Sequence, residues 1–281
     1  MRARLFIQTI LWIAVMGAIL FAAAGTLRWP AGWIFLAEMG LSGLALGLWL
    51  ARHDPGLLAE RMRSPLQREQ KPWDRVFIAV ALLLWVAWLA AMALDARRYR
   101  LSEVPPWAQG IGALAILASI HIAYLTFRAN SFAAPVVRVQ RERAHRVVDA
   151  GPYAHVRHPL YAGAIFSFVG MPLLLGSWYG LALAPVLVAL LAVRAVMEEG
   201  TLTAELDGYA DYAARPGSLR LVARLFRGSR PLSFAPARAY LFGNRNSFGR
   251  MRPWPGNPAL RNAPAPPGRP RIPRRTPLTR R

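Results

Sequence analysis

The chain has 281 residues, is 55% hydrophobic, carries a formal net charge of +21 and contains no cysteine. Soluble domains are about 45–50% apolar, and the excess here gathers into runs of about twenty residues, the length that crosses a bilayer core. The lack of cysteine excludes disulfides, thiolate nucleophiles and cysteine-held metals, and five scattered His without an HExxH spacing give a metal site little support.

Residues 5–24 form the first apolar run, behind Arg2 and Arg4. The run is long for the core of a signal peptide and a second span follows at once, so it reads as a retained transmembrane helix. Arg28-Trp29-Pro30-Ala31-Gly32-Trp33 is a short turn with Trp rings at interface depth. The second span, 33–50, carries Glu38, which reads either as a functional intramembrane carboxylate or as a group reaching headgroup water. A polar loop over 52–75 is rich in Arg, which points to the cytoplasmic side. The third span is 76–94, and 95–106 is a short connector. The fourth span, 107–127, contains His121, read as hydrogen-bonded within the bundle, with a proton-relay role as the alternative.

A second Arg-rich loop, 128–158, again points to the cytoplasm. Pro159 is placed in a first helical turn, where its missing N–H costs nothing. Residues 160–175 and 179–196 then form a tight helical hairpin across Gly176-Ser177-Trp178, which Pro172 and Pro185 are expected to kink or shorten. The hairpin returns the chain to the face it left, so Arg194, Glu198 and Glu199 share an aqueous boundary with Arg157 and His158. Residues 205–212 continue as an amphipathic segment on that surface. Six spans with both termini cytoplasmic satisfy the loop charges best, giving an all-α polytopic transmembrane bundle of five to six spans over residues 1–214.

Residues 215–281 differ sharply: sixteen Arg, twelve Pro, no Lys and no acid, which leaves only +5 for the body. With no apolar period this segment reads as a disordered tail. Its charge suits anionic headgroups, at about 1 kcal/mol per basic residue near the surface, or nucleic acid. The composition equally matches GC-rich DNA read out of frame, and no nucleic-acid partner is expected.

Chemistry concentrates in Gly151-Pro152-Tyr153-Ala154-His155-Val156-Arg157-His158-Pro159-Leu160-Tyr161-Ala162-Gly163 and in Arg194, Glu198 and Glu199. Arg forks a carboxylate or phosphate, Glu accepts from hydroxyls or an amine, and aromatic rings face a base or a cation. The set suits a zwitterionic nucleotide-like cofactor with a lipid-soluble acceptor. It equally suits an Arg/Glu network that locks the hairpin.

The ordered motifs Gly-Pro-Tyr-x-x-Val-Arg-His-Pro-x-Tyr-x-Gly at 151–163, Glu-Glu-x-x-Leu at 198–202 and Gly-Tyr-x-x-Tyr at 208–212 resemble the isoprenylcysteine carboxyl methyltransferase family of integral-membrane, S-adenosylmethionine-dependent enzymes. Asp54-Pro55-Gly56-Leu57-Leu58-Ala59-Glu60-Arg61, Trp73-Asp74-Arg75 and Asn130-Ser131-Phe132 resemble its bacterial members, and the resemblance spans about 30–214. It implies a bacterial inner-membrane enzyme with S-adenosylmethionine held at the cytoplasmic face by Tyr153, Arg157, His158, Tyr161, Glu198, Glu199 and Tyr212. Arg194 would orient the carboxylate of a lipophilic or prenylated acceptor, and His158 or His155 would serve as base for an amine. The family's closing Arg-x-Arg-Leu-Ile/Val-Pro stretch survives here only as a displaced Arg-Leu-Val in 215–223. Two other readings remain open: an NADPH-dependent membrane reductase of similar topology, and a non-enzymatic membrane scaffold.

Overall fold

The computed structural model describes residues 1–64, 67 and 70–215, and no strand occurs among them. The tail proposed for 215–281 lies outside the described residues, Arg215 excepted. Eight α-helices follow in order: α1 Arg2–Ala24, α2 Pro30–His53, α3 Pro55–Arg61, α4 Pro72–Ala93, α5 Pro106–Ala129, α6 Pro159–Leu175, α7 Trp178–Glu205 and α8 Tyr209–Ala214. Proline stands in the first turn of α2, α3, α4, α5 and α6, where its fixed φ suits the helix and its absent N–H is no loss. Gly25 and Gly176 end α1 and α6 in the left-handed region, at φ 70° and 86°, which side chains with a Cβ resist.

Among the described residues, five helical segments are long and apolar enough to cross a membrane: α1, α2, α4 with its continuation to Tyr99, α5 and α7. At 17 residues, α6 is about 26 Å long, slightly less than a hydrocarbon core of about 30 Å. It packs along α5 and forms a hairpin with α7. The outward faces are apolar, with Ile10, Leu83 and Leu114 about two-thirds exposed at 67%, 71% and 66%. A helix apolar all round is at home in lipid; this is an integral membrane protein.

The bundle core joins Met16 and Leu20 of α1, Phe35 of α2, Leu89 and Met92 of α4, Ile116 of α5 and Leu174 of α6. The closest approach is α5 against α6. A Cβ at Gly112 would lie 2.5 Å from the Leu174 nitrogen and 2.7 Å from the Gly170 oxygen, so only glycine permits this crossing, as in small-residue transmembrane contacts.

At the pole away from α3 and α8, buried Asp95 accepts from Ser102 Oγ at 2.7 Å and from Ser177 Oγ, joining the α4–α5 connection to the α6–α7 turn. The 95–106 connector therefore does not begin as a loop; Leu94–Tyr99 continues α4 as a π-helical turn. The other pole gathers Arg4, whose guanidinium donates to the Met62 carbonyl at 3.0 Å, together with α3, the 128–158 segment, the end of α7 and α8.

Several expectations change. The polar loop 52–75 contains α3, started by Asp54, whose Oδ1 accepts from Leu57 N–H at 2.8 Å. Neither Pro172 nor Pro185 interrupts its helix, and α7 continues to Glu205, nine residues beyond the apolar run. His121 faces outward and is exposed, beside Tyr124, because its helical position falls on the lipid side; it has no hydrogen-bond partner among the described residues. Both Glu38 carboxylate oxygens are shielded from solvent and unpartnered among the described residues, so Glu38 does not reach headgroup water.

Candidate active site

At the α3–α8 pole, a cavity of about 310 Å³ opens between the 128–158 segment, the start of α6 and the last turns of α7. That volume is at the low end of the range for cofactor pockets, about 300–1,000 Å³. Tyr153, Arg157, His158, Tyr161, Arg194, Glu198 and Tyr212 all line it. The two sequence stretches meet because α6 and α7 form an antiparallel hairpin, which returns Glu198 to the level of Tyr161.

Arg157 and His158 share one carboxylate. Arg157 Nη1 donates to Glu199 Oε2 at 3.2 Å, and His158 Nε2 lies 3.2 Å from Glu199 Oε1. Arg157 Nη2 also donates to the Ala213 carbonyl, tying α8 to the site. Glu199 is absent from the cavity wall. It stands behind, one helical step round from Glu198, and holds the Arg157 and His158 side chains in place. Glu199, expected among the cofactor-binding residues, braces Arg157 and His158 from behind the wall.

Glu198 is on the wall. Its Oε2 accepts from the Tyr161 hydroxyl and lies 3.8 Å from His158 Nδ1, while Oε1 has no hydrogen-bond partner among the described residues. The rings of His158 and Tyr161 stack, 5.1 Å apart and 5° from parallel. His155 is exposed and off the cavity. The 3₁₀ turn Gly151–Ala154 carries it to the surface, so it cannot serve the site as a base.

Arg194 is already paired. Its Nε and Nη2 lie 3.1 and 3.0 Å from Asp74 Oδ1, and Nη2 also donates to the Pro135 carbonyl at 2.7 Å. Asp74 is fully buried and accepts as well from Gln70 Nε2 at 2.8 Å and Val137 N–H at 2.9 Å. The Trp73-Asp74-Arg75 motif therefore reaches the site through Arg194, a contact that sequence spacing does not reveal across 120 residues.

Two tyrosines close the α8 side. The Tyr212 hydroxyl donates to the Tyr153 carbonyl at 2.8 Å. The Tyr153 phenol oxygen accepts from Asn130 Nδ2 at 2.9 Å, and burial pushes both phenols above their ordinary range. Tyr209, the first Tyr of the 208–212 motif but not assigned to the cofactor from the sequence, also lines the cavity, and its hydroxyl is buried without a partner among the described residues. Its position three residues before Tyr212, on the same helical face, is the available signal. His145, another lining residue, stacks on Phe132 at 4.5 Å. Burial, then Arg143 and Arg138, pushes its pKa down to about 4.

An orphaned hydroxyl, a half-engaged carboxylate and stacked rings are the features a polar, cationic nucleoside ligand would complete. The residues present therefore fit S-adenosylmethionine. Among the described residues, no group of three or more His, Cys, Asp or Glu could hold a metal. The family's closing stretch, expected after residue 214, lies outside the described residues apart from Arg215.

Residues 107–209 match the phospholipid methyltransferase family, a membrane methyltransferase family related to the isoprenylcysteine carboxyl methyltransferases. The match runs from the start of α5 to the start of α8 and contains the 151–163 and 198–202 motifs. No curated protein matches the chain.

Proposed function

From the family match over 107–209, which supports a membrane methyltransferase, we propose an S-adenosylmethionine-dependent enzyme that methylates a lipid-like acceptor at the membrane surface. The observation that carries this reading is the convergence of the 151–163 motif and the Glu198 turn of α7 on one cavity. The Arg-rich loops around it favour the cytoplasmic face and both termini on that side.

S-adenosylmethionine, when bound, supplies a sulfonium methyl that is already activated, and its carbon–sulfur bond breaks as the bond to the acceptor forms. The chain's own residues bind, align and exclude water. Glu198 Oε1 is free to accept from an ammonium or hydroxyl, and the Tyr209 hydroxyl offers a buried partner. Tyr161, Tyr153 and Tyr212 present ring surface to a cation. Arg157 and His158 are held by Glu199, so the wall is set before a ligand arrives. The apolar strip from Ala133 to Val137 keeps water from one side.

A carboxylate acceptor of the isoprenylcysteine kind is ionised near neutral pH and needs no base. An amine acceptor must lose a proton, and His158, between Glu198 and Glu199, is the group placed to take it. The family match favours this reading over a membrane reductase or an inert scaffold.

Calorimetric titration of the detergent-solubilised protein tests the reading. S-adenosylmethionine binds the intact chain, Glu198→Ala abolishes binding, and NADPH does not bind. Absence of S-adenosylmethionine binding to the wild type would refute the proposal. Mass spectrometry of membrane lipids with and without the protein then identifies the acceptor.

A further inference from the structure

The arginines around the cavity differ in one respect. Arg194 is neutralised by Asp74 at 3.0 Å, Arg138 by Glu60 and Glu142 at 2.8 and 2.7 Å, and Arg157 by Glu199 at 3.2 Å. Arg146, on the same wall, is exposed to solvent; Arg61, at the end of α3, lines the cavity half-buried, yet no carboxylate pairs with it among the described residues. Its neighbour Glu60 is taken by Arg138 and Arg63. Arg61 Nη1 donates to the Ala133 carbonyl at 2.9 Å, and the guanidinium carbon stands 4.3 Å over the Phe127 ring. Nε and Nη2 have no hydrogen-bond partner among the described residues.

A shielded guanidinium without a counter-charge is costly, and burial lowers the pKa of Arg61 to about 10. The carbonyl and the ring fix the plane of the fork and leave its other edge for a bidentate oxyanion. We propose that Arg61, and not the already paired Arg194, is the carboxylate-binding residue of the cavity. This rests on the methyltransferase reading above. Both of that reading's ligands can carry the carboxylate: the amino-acid end of S-adenosylmethionine, or a prenylcysteine acceptor. Asn130 and Tyr153 line the same cavity and bound the slot.

The test compares ligands with and without the carboxylate on the full chain, for wild type, Arg61→Gln and Arg61→Lys. If the cofactor's carboxylate is bound, Arg61→Gln weakens S-adenosylmethionine roughly 10- to 100-fold, the size of a lost charge-assisted hydrogen bond. Decarboxylated S-adenosylmethionine then binds wild type and variant alike, and Arg61→Lys recovers part of the loss. If the acceptor's carboxylate is bound, both cofactor affinities are unchanged, and the variant instead loses its preference for a prenylcysteine acid over its methyl ester in a displacement titration. Equal affinities for wild type and variant in both arms overturn the assignment while leaving the methyltransferase reading intact. Failure of wild type to bind S-adenosylmethionine overturns both. Thermal unfolding of each variant establishes that it is folded, and a variant that does not fold is replaced by Arg61→Met in the same titrations.

Discussion

Removing the carboxylate of Asp74 tests how the site is supported from outside the matched segment. Asp74 has no solvent exposure and receives four contacts: two from Arg194, one from Gln70 and one from the Val137 N–H. Asp74→Ala leaves Arg194 largely buried with only the Pro135 carbonyl and ring faces as partners, and orphans the Val137 N–H. Breaking a buried pair from one side costs about 3–5 kcal/mol. At about 2–4 °C per kcal/mol for chains of this size, the unfolding midpoint falls by about 6–20 °C. Asp74→Asn keeps the shape and one acceptor oxygen but turns an N–H toward a donor, so its loss is smaller, about 1.5–3 kcal/mol. The assay is tryptophan fluorescence in detergent at one fixed scan rate, since unfolding of such proteins is often irreversible. An Asp74→Ala midpoint within about 2 °C of wild type would refute the view that Asp74 anchors Arg194 and the 135–137 segment.

Further outcomes follow from other contacts. Gly112→Ala places a Cβ 2.5 Å from the Leu174 backbone nitrogen, so α5 and α6 must separate; a loss of about 1–3 kcal/mol in thermal unfolding is expected. His145 has a folded pKa of about 4 against an ordinary 6.5, so the unfolded chain takes up its proton first as pH falls. Its contribution is complete above the ordinary value and is lost as pH drops through the folded one; the midpoint difference between wild type and His145→Gln therefore shrinks from about pH 7.5 to about pH 5. Tyr209→Phe removes a buried unpartnered hydroxyl, so stability holds or rises while S-adenosylmethionine affinity falls, read by unfolding and titration together. Glu198→Gln weakens the cofactor with little change in midpoint. Glu199→Gln lowers the unfolding free energy by about 1–3 kcal/mol, because Arg157 and His158 both rest on it.

The spans were legible because lipid imposes one rule on every outward face, and long apolar runs satisfy it visibly. Pro159 at the head of α6 and the return of Glu198 to the Arg157 face were legible for a similar local reason: helix-start chemistry and a two-residue hairpin link constrain both. The supporting layer was not. Asp74 reaches Arg194 across 120 residues, and Glu60 reaches Arg138 across 78. Such pairings depend on which helices become neighbours, and apolar periodicity carries no record of that. His121 shows the converse. A His in a span suggests a polar partner, yet rotation about α5 places it outward, and residue type alone does not encode rotation.

The adjacent Glu198 and Glu199 show why motif reading assigns residues to a site more readily than it assigns their work. Consecutive helical positions point about 100° apart, so two neighbouring carboxylates meet different surroundings from one helix. One turns to the ligand side and accepts from Tyr161; the other turns toward the α6 start, where it neutralises Arg157 and lies beside His158. A paired acid motif at the end of a spanning helix thus supplies a wall and its brace together. The brace must be charged because it holds Arg157 and His158 in a site that excludes water, where an uncompensated guanidinium would be costly. By the same reasoning, the one cavity-lining guanidinium that is shielded without a carboxylate among the described residues, Arg61, is the group whose counter-charge must arrive with the ligand.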